Sequence, residues 1–147
     1  MNPAPYEELD DAHLLALCIY REARGESFLG KRGVGCTVRN RVNAQSYFGH
    51  TYDQVILRPY QFSSFNSNDP NAGVWPIDGE PVWMECLVEA NNVLGGIDDV
   101  SNGALFYFSP PLTAPPHAWG PVIATAHIGN LNFYKPAPAE PSLTGDI

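Results

Sequence analysis

An apolar run, Leu14-Leu15-Ala16-Leu17-Cys18-Ile19, passes directly into Tyr20-Arg21-Glu22-Ala23-Arg24-Gly25-Glu26-Ser27. Such a run reads as a buried helix, here ending in a tight cluster of charge. Two carboxylates and two guanidiniums fall between positions 21 and 26. On a helix, Glu22 and Glu26 share a face, and so do Arg21 and Arg24. At the C-terminal end of a buried helix, the negative end of the dipole and the loss of water both disfavour a charged carboxylate. A glutamic acid in that setting keeps its proton and can donate it. The competing reading is a surface helix end tied up in ion pairs.

The chain has 147 residues, 44% of them hydrophobic and 16% charged, which is one globular domain with room for a core. A net charge of −8 excludes a nucleic-acid partner, because nothing neutralises phosphates in quantity. No apolar run reaches the roughly 20 residues of a membrane span. The opening residues Met1-Asn2-Pro3-Ala4-Pro5-Tyr6-Glu7-Glu8 lack a basic segment ahead of an apolar one, so the reading is a protein made in the cytoplasm without a signal peptide. Cys18, Cys36 and Cys86 are odd in number and lie in apolar helical contexts, which points to small buried hydrophobes in a reduced compartment.

The first helix starts at Asp10 or Asp11 and ends at Gly25. Ser27 to Gly30 reads as a turn, followed by a second helix from about Lys31 to Asn43 with Val34, Val38 and Val42 inward. Gly33 and Gly35 in that helix suggest close approach of another backbone. A short helix covers Thr51 to Leu57. Pro81 opens another that runs to Leu94, with Val82, Cys86, Ala90 and Val93 on its inner face. Strands are expected at Ala104–Ser109, Val122–Ile128 and Asn132–Tyr134, so the fold class is α+β, a helical body with a small antiparallel sheet. The domain is expected over residues 1–135, followed by a Pro-rich tail over 136–147.

Residues 58–81 are polar, turn-rich and studded with aromatics, and a loop this long in a compact domain is usually functional. Tyr60, Phe62, Phe65, Trp75 and Trp119 all lie among Gly, Pro, Ser and Asn residues. Exposed rings beside amides and hydroxyls suit sugars: the ring covers the C–H face of a pyranose and the amides bond its hydroxyls. The alternative is that the rings pin the loop to the body. His13, His50, His117 and His127 are scattered with no metal-binding spacing, so no metal or cofactor is expected. There is no G-x-S-x-G elbow, and Cys18 and Cys36 read as buried. Carboxylate chemistry remains, with Glu22 and Glu26 the best-placed acids.

The segment from Leu15 to Val42, with Glu22-Ala23-Arg24-Gly25-Glu26 and Asn40-Arg41-Val42, resembles the signature of the spore-cortex-lytic family of cell wall hydrolases. Pro59–Ser63, Gly103–Pro110 and Ile128–Tyr134 resemble three further elements of that family, in the same order. The resemblance implies a lysozyme-like fold that cleaves the N-acetylmuramic acid–N-acetylglucosamine bond of peptidoglycan. It also implies one glutamate acting as acid and then base, with a 1,6-anhydro product. On this reading Glu22 is the acid and Glu26 braces the site, by pairing with Arg24 or bonding backbone amides. Tyr60, Gln61, Phe62 and Ser63 form one wall of a glycan groove opposite Glu22, with Tyr107 on the sheet side and Trp119 as a further ring. Arg21 and Arg24 should point away from Glu22.

The histidine of the family's closing element is Leu131 here, which moves any polar role elsewhere, His127 being the nearest candidate. The expected setting is a monomeric phage endolysin released through a holin to reach the glycan strands. The alternatives are a spore germination enzyme made in the cytoplasm, a muramidase of the same fold, with Glu26, Asp53 or Asp69 as base, and a non-catalytic wall-binding or virion module.

Overall fold

The computed structural model describes residues 1, 3–59 and 61–138. Four helices, α1 (Asp11–Ala23), α2 (Phe28–Ala44), α3 (Tyr52–Leu57) and α4 (Pro81–Leu94), precede three strands, β1 (Phe106–Phe108), β2 (Val122–Ile128) and β3 (Leu131–Pro136). Short 3-10 turns fill the segments between them. Residues 139–147, most of the expected tail, lie outside the described residues.

Helix α1 is the centre of the body and packs against α2, α3 and α4. Every residue from Leu14 to Arg21 is buried, as a helix apolar on all sides requires. Asp10 caps it, accepting the backbone N–H of His13. The helix stops at Ala23, short of the expected Gly25, so Glu26 lies beyond its end and shares no helical face with Glu22.

Helix α2 starts at Phe28 and not near Lys31. Ser27 is its cap, its side chain accepting the N–H of Gly30, and the expected turn is the first turn of helix. Gly30 fits there because it has no Cβ, which would sit 2.8 Å from Glu26 Cβ. The glycines further along admit side chains, not a backbone as expected. A Cβ on Gly33 would meet Phe133 Cζ at 2.6 Å, and one on Gly35 would meet Val93 Cγ2 at 2.9 Å. Phe133 is fully buried, so the Gly33 notch is where the sheet seats on the helical body.

Thr51 caps α3, its side chain accepting from Gln54 N–H, and Pro81 opens α4. On α4 the buried positions are Trp83, Cys86, Glu89, Ala90 and Val93. The sheet order is β1-β3-β2, all antiparallel, so the last strand occupies the middle. A bulge interrupts the β2–β3 pairing between Ala124 and Ala126. β1 is shorter than the expected strand, and β3 is longer. Cys18, Cys36 and Cys86 are free and buried; burial raises the thiol of Cys18 well above its usual value and that of Cys86 to about 12, so both stay protonated.

Candidate active site

Glu22 occupies the last turn of α1, where the buried helix reaches a cavity of about 430 Å³. The helix supplies the floor. The long loop contributes Gln61, Phe62 and Ser63 to the lining, and the segment of β1 contributes Phe106 and Tyr107. Ala118 and Trp119, in the segment before β2, and Arg41 and Tyr47, at and after the end of α2, complete the lining. Of the residues expected around a glycan groove, Glu22, Gln61, Phe62, Ser63, Tyr107 and Trp119 are therefore brought together. Tyr60 lies outside the described residues.

The Tyr107 hydroxyl donates to Glu22 Oε1 at 2.5 Å, across 85 residues of sequence. Burial, and then the nearby Glu22 charge, raise the Tyr107 phenol well above its ordinary value, so it remains a donor through neutral pH. Among the described residues that is the one hydrogen bond to the Glu22 carboxyl group, and no ion pair reaches it. Among the described residues no hydrogen bond is made to Oε2.

Both neighbouring arginines turn elsewhere. Arg21 is buried and donates to the carbonyls of Val74, Ser64 and Ala72 and to the Tyr6 hydroxyl. Tyr6, Phe65 and Trp75 surround its guanidinium with centroids at 5.3, 4.9 and 5.1 Å. Phe65 and Trp75 thus pin the long loop to α1 and do not line the cavity. Arg24 donates to Asn71 Oδ1 and to carbonyls of its own helix. It makes no pair with Glu26.

Glu26 is not in the cavity. Its carboxylate accepts the N–H of Asn130 at 3.1 Å and the Asn130 side-chain amide at 3.2 Å. Its backbone carbonyl accepts Lys31 Nζ. It joins the α1–α2 turn to the β2–β3 turn, where Gly129 has φ +58 and a Cβ would collide with Glu26 Oε1 at 2.8 Å. Leu131, at the position of the family histidine, is buried against Gly30. His127 is exposed and pairs with Asn132, so it brings no polar group to the cavity. Asp69 caps a 3-10 turn through Asn71 N–H, and Asp53 lies in a neighbouring cleft. No group of three or more His, Cys, Asp and Glu side chains converges on a metal-sized site among the described residues.

Arg41 has the cavity's second charge and is only 5% exposed. Its Nε donates to Leu105 O at 2.8 Å, and its guanidinium lies among the rings of Phe48, Phe62 and Phe106 at 4.5, 5.0 and 5.8 Å. Nη1 is buried without a hydrogen-bond partner among the described residues. Burial lowers the guanidinium from its usual value, and the acidic groups around it, Glu22 among them, act the other way; it stays cationic at any working pH. Arg41 and Tyr47 were not among the expected site residues. Arg41 falls three residues after Val38 and seven after Val34, which places it on the inward stripe, and that was the available signal. Exposed Tyr47 left none.

A helical body that brings one carboxylate to an aromatic- and amide-lined cavity beside a three-stranded sheet defines a lysozyme-like α+β domain. The chain belongs to the Cell Wall Hydrolase family, which it matches over residues 25–134. Glu22 lies just ahead of that span. The chain is similar to the spore cortex-lytic enzymes of Oceanobacillus iheyensis (32% identical over 120 residues, 80% of this chain and 38% of the relative) and Bacillus subtilis (30% over 113 residues, 76% and 33%). It spans between a third and two fifths of the length of these curated relatives. Among solved structures it resembles the catalytic domain of the Bacillus cereus SleB protein, with TM-score 0.67 and 27% identity over 85% of this chain and 89% of that one. It also resembles the catalytic domain of the germination-specific lytic transglycosylase SleB from Bacillus anthracis, with TM-score 0.68 and 25% identity over 90% and 100%.

Proposed function

We propose that this chain cleaves the N-acetylmuramic acid–N-acetylglucosamine bond of peptidoglycan as a lytic transglycosylase, in the service of bacterial cell lysis. The observation that carries the reading is that Glu22 is the sole carboxylate lining the cavity among the described residues. A water-using glycosidase of the usual type needs two carboxylates on opposite sides of the bond. A transglycosylase needs one, because its nucleophile is already part of the substrate.

Glu22 in its acid form gives a proton to the glycosidic oxygen as the C1–O bond breaks, releasing the 4-hydroxyl of the glucosamine. Its carboxylate then takes the proton of the muramic acid C6 hydroxyl, whose oxygen bonds to C1 and closes the 1,6-anhydro ring. Glu22 ends in the state in which it began, and no water is consumed. Tyr107 holds Oε1 and so orients the carboxyl group, leaving Oε2 for the proton. Arg41 supplies a standing positive charge that favours the carboxylate formed midway. Gln61 and Ser63 offer donors and acceptors to sugar hydroxyls, and the Trp119 and Tyr47 rings offer apolar faces.

Mass spectrometry of muropeptides released from purified sacculi tests this. The expected product is one water lighter than a reducing muropeptide. Reducing ends would assign a hydrolytic muramidase, and no release would assign a binding module. Glu22→Gln should lose about a thousandfold in rate, within the range for a general acid, while still pelleting with sacculi. Purified protein should clear suspensions of permeabilised cells, and the variant should not.

A further inference from the structure

On the far side of Tyr47 from the Glu22 cavity lies a second cleft of about 570 Å³, lined by Tyr47, His50, Asp53, Gln54 and Arg58 among others. Tyr47 lines both, so the two are neighbours at that ring. That ring stacks on buried Phe48 at 4.3 Å, and is 63% exposed. The cleft is held by its own backbone: Ser46 bridges to Gly49, whose φ of +128 lets it pack against the Gln54 and Val55 backbone, and Gln54 Oε1 accepts His50 N–H.

The chemistry of this cleft differs from that of the first. The chain has only eight lysines and arginines, all within the described residues. Six of them, Arg21, Arg24, Lys31, Arg32, Arg39 and Arg41, are committed by hydrogen bonds to other protein groups. Lys135 is on β3 and lines neither cavity. Arg58 is exposed, makes no side-chain hydrogen bond or ion pair among the described residues, and sits 5.8 Å over the Tyr47 ring. On a chain of net charge −8, that guanidinium is the local attraction for an anion beside the groove. Among the described residues the Gln54 side-chain N–H groups make no hydrogen bond, and Asp53, which accepts from the Thr51 hydroxyl, keeps acceptor capacity for an ammonium.

Sugars of the glycan strand are recognised by rings and amides, as in the Glu22 cavity. Ionic side chains suit the other half of the polymer, the peptide carried on the lactyl group of each muramic acid, with its free carboxylates, amides and amine. We propose that the cleft from Tyr47 to Arg58 is a subsite for this stem peptide, with Arg58 taking a carboxylate. The inference rests on the reading that glycan occupies the Glu22 cavity, whose lining this cleft shares at Tyr47.

Two substrates separate the possibilities: glycan strands bearing peptides, and the same strands stripped by an amidase. For Arg58→Gln, the ratio of kcat/KM on peptide-bearing to stripped strands should fall about fivefold, the scale of a partly exposed ion pair. Arg58→Lys should recover part of that loss, and 0.5 M salt should shrink the difference. An equal loss on both substrates, or no loss on either, overturns the proposal. Titration of an isolated stem tripeptide into the 15N-labelled full chain gives an independent reading. Amide shifts confined to residues 46–58, and abolished by Arg58→Gln, support the subsite; their absence overturns it. If the wild type cleaves neither substrate, the transglycosylase reading fails, and the titration still decides the subsite.

Discussion

Replacing Arg41 by methionine separates catalysis from stability in this protein. A buried cation costs several kcal/mol of desolvation. Three ring contacts at 4.5 to 5.8 Å return about 0.5 to 2 kcal/mol each, and the bond to Leu105 O about 1.5 to 3 kcal/mol. No carboxylate pairs with Arg41 within ion-pair distance among the described residues, so the substitution strands no opposite charge. Methionine keeps the length and the apolar stem and gains sulfur–ring contacts of about 0.3 to 1.5 kcal/mol. The main loss is the donor to Leu105 O, about 1 to 3 kcal/mol. The net destabilisation comes to about 2 kcal/mol or less, a fall of no more than about 6 °C in Tm for a domain of this size. Activity should fall much further, about a hundredfold in kcat, because the positive charge that lines the Glu22 cavity is gone. The assays are thermal unfolding followed by circular dichroism and the rate of anhydro-muropeptide release per folded molecule. A fall of more than about 10 °C with activity within about twofold of wild type would make Arg41 a structural cation and refute the reasoning.

Gln61→Ala should slow turnover of sacculi about tenfold, the scale of one hydrogen bond to substrate, with Tm unchanged. A lower Tm with intact specific activity would assign Gln61 to loop structure. Gly33→Ala drives a methyl to 2.6 Å from the Phe133 ring. Overpacking of about 1 to 3 kcal/mol outweighs the gain of about 1 kcal/mol in helix propensity, so the urea midpoint should drop; an unchanged midpoint would mean the sheet shifts freely. Asp99 is pushed up by burial, but bonds from the Ser101 hydroxyl, Asn40 and the N–H groups of Gly103 and Ser101 more than offset this and hold it below its usual 3.8. A depressed carboxylate stabilises the fold above its ordinary value and loses that contribution as pH falls through the lower folded value. Wild-type Tm should therefore decline below about pH 4, and Asp99→Asn should decline less steeply; parallel curves would contradict the assignment.

Local patterns carried much of this fold. The buried run ahead of Glu22, the Asp10 cap, Pro81 at the head of α4 and the 122–128 strand are each written in neighbouring residues, because capping and helical or strand periodicity act over a few positions. They also placed Glu22 in the last turn of a buried helix. Where the two glutamates would part company was not legible: Glu26 meets a turn 104 residues away, and only the packing of β2 and β3 against α2 brings Asn130 within reach. Three arginines between Leu15 and Val42 show the same limit. Arg21 holds the long loop, Arg39 holds the Val93 and Ile97 carbonyls at and just after the end of α4, and Arg41 faces the cavity, although the three share one side-chain chemistry. Sequence by itself determined which helices and strands form and which carboxylate ends the central helix. The tertiary structure alone decided that this carboxylate stands without an acidic neighbour, because the walls of its cavity come from segments far apart in sequence that meet only when the Phe133 ring seats in the notch at Gly33.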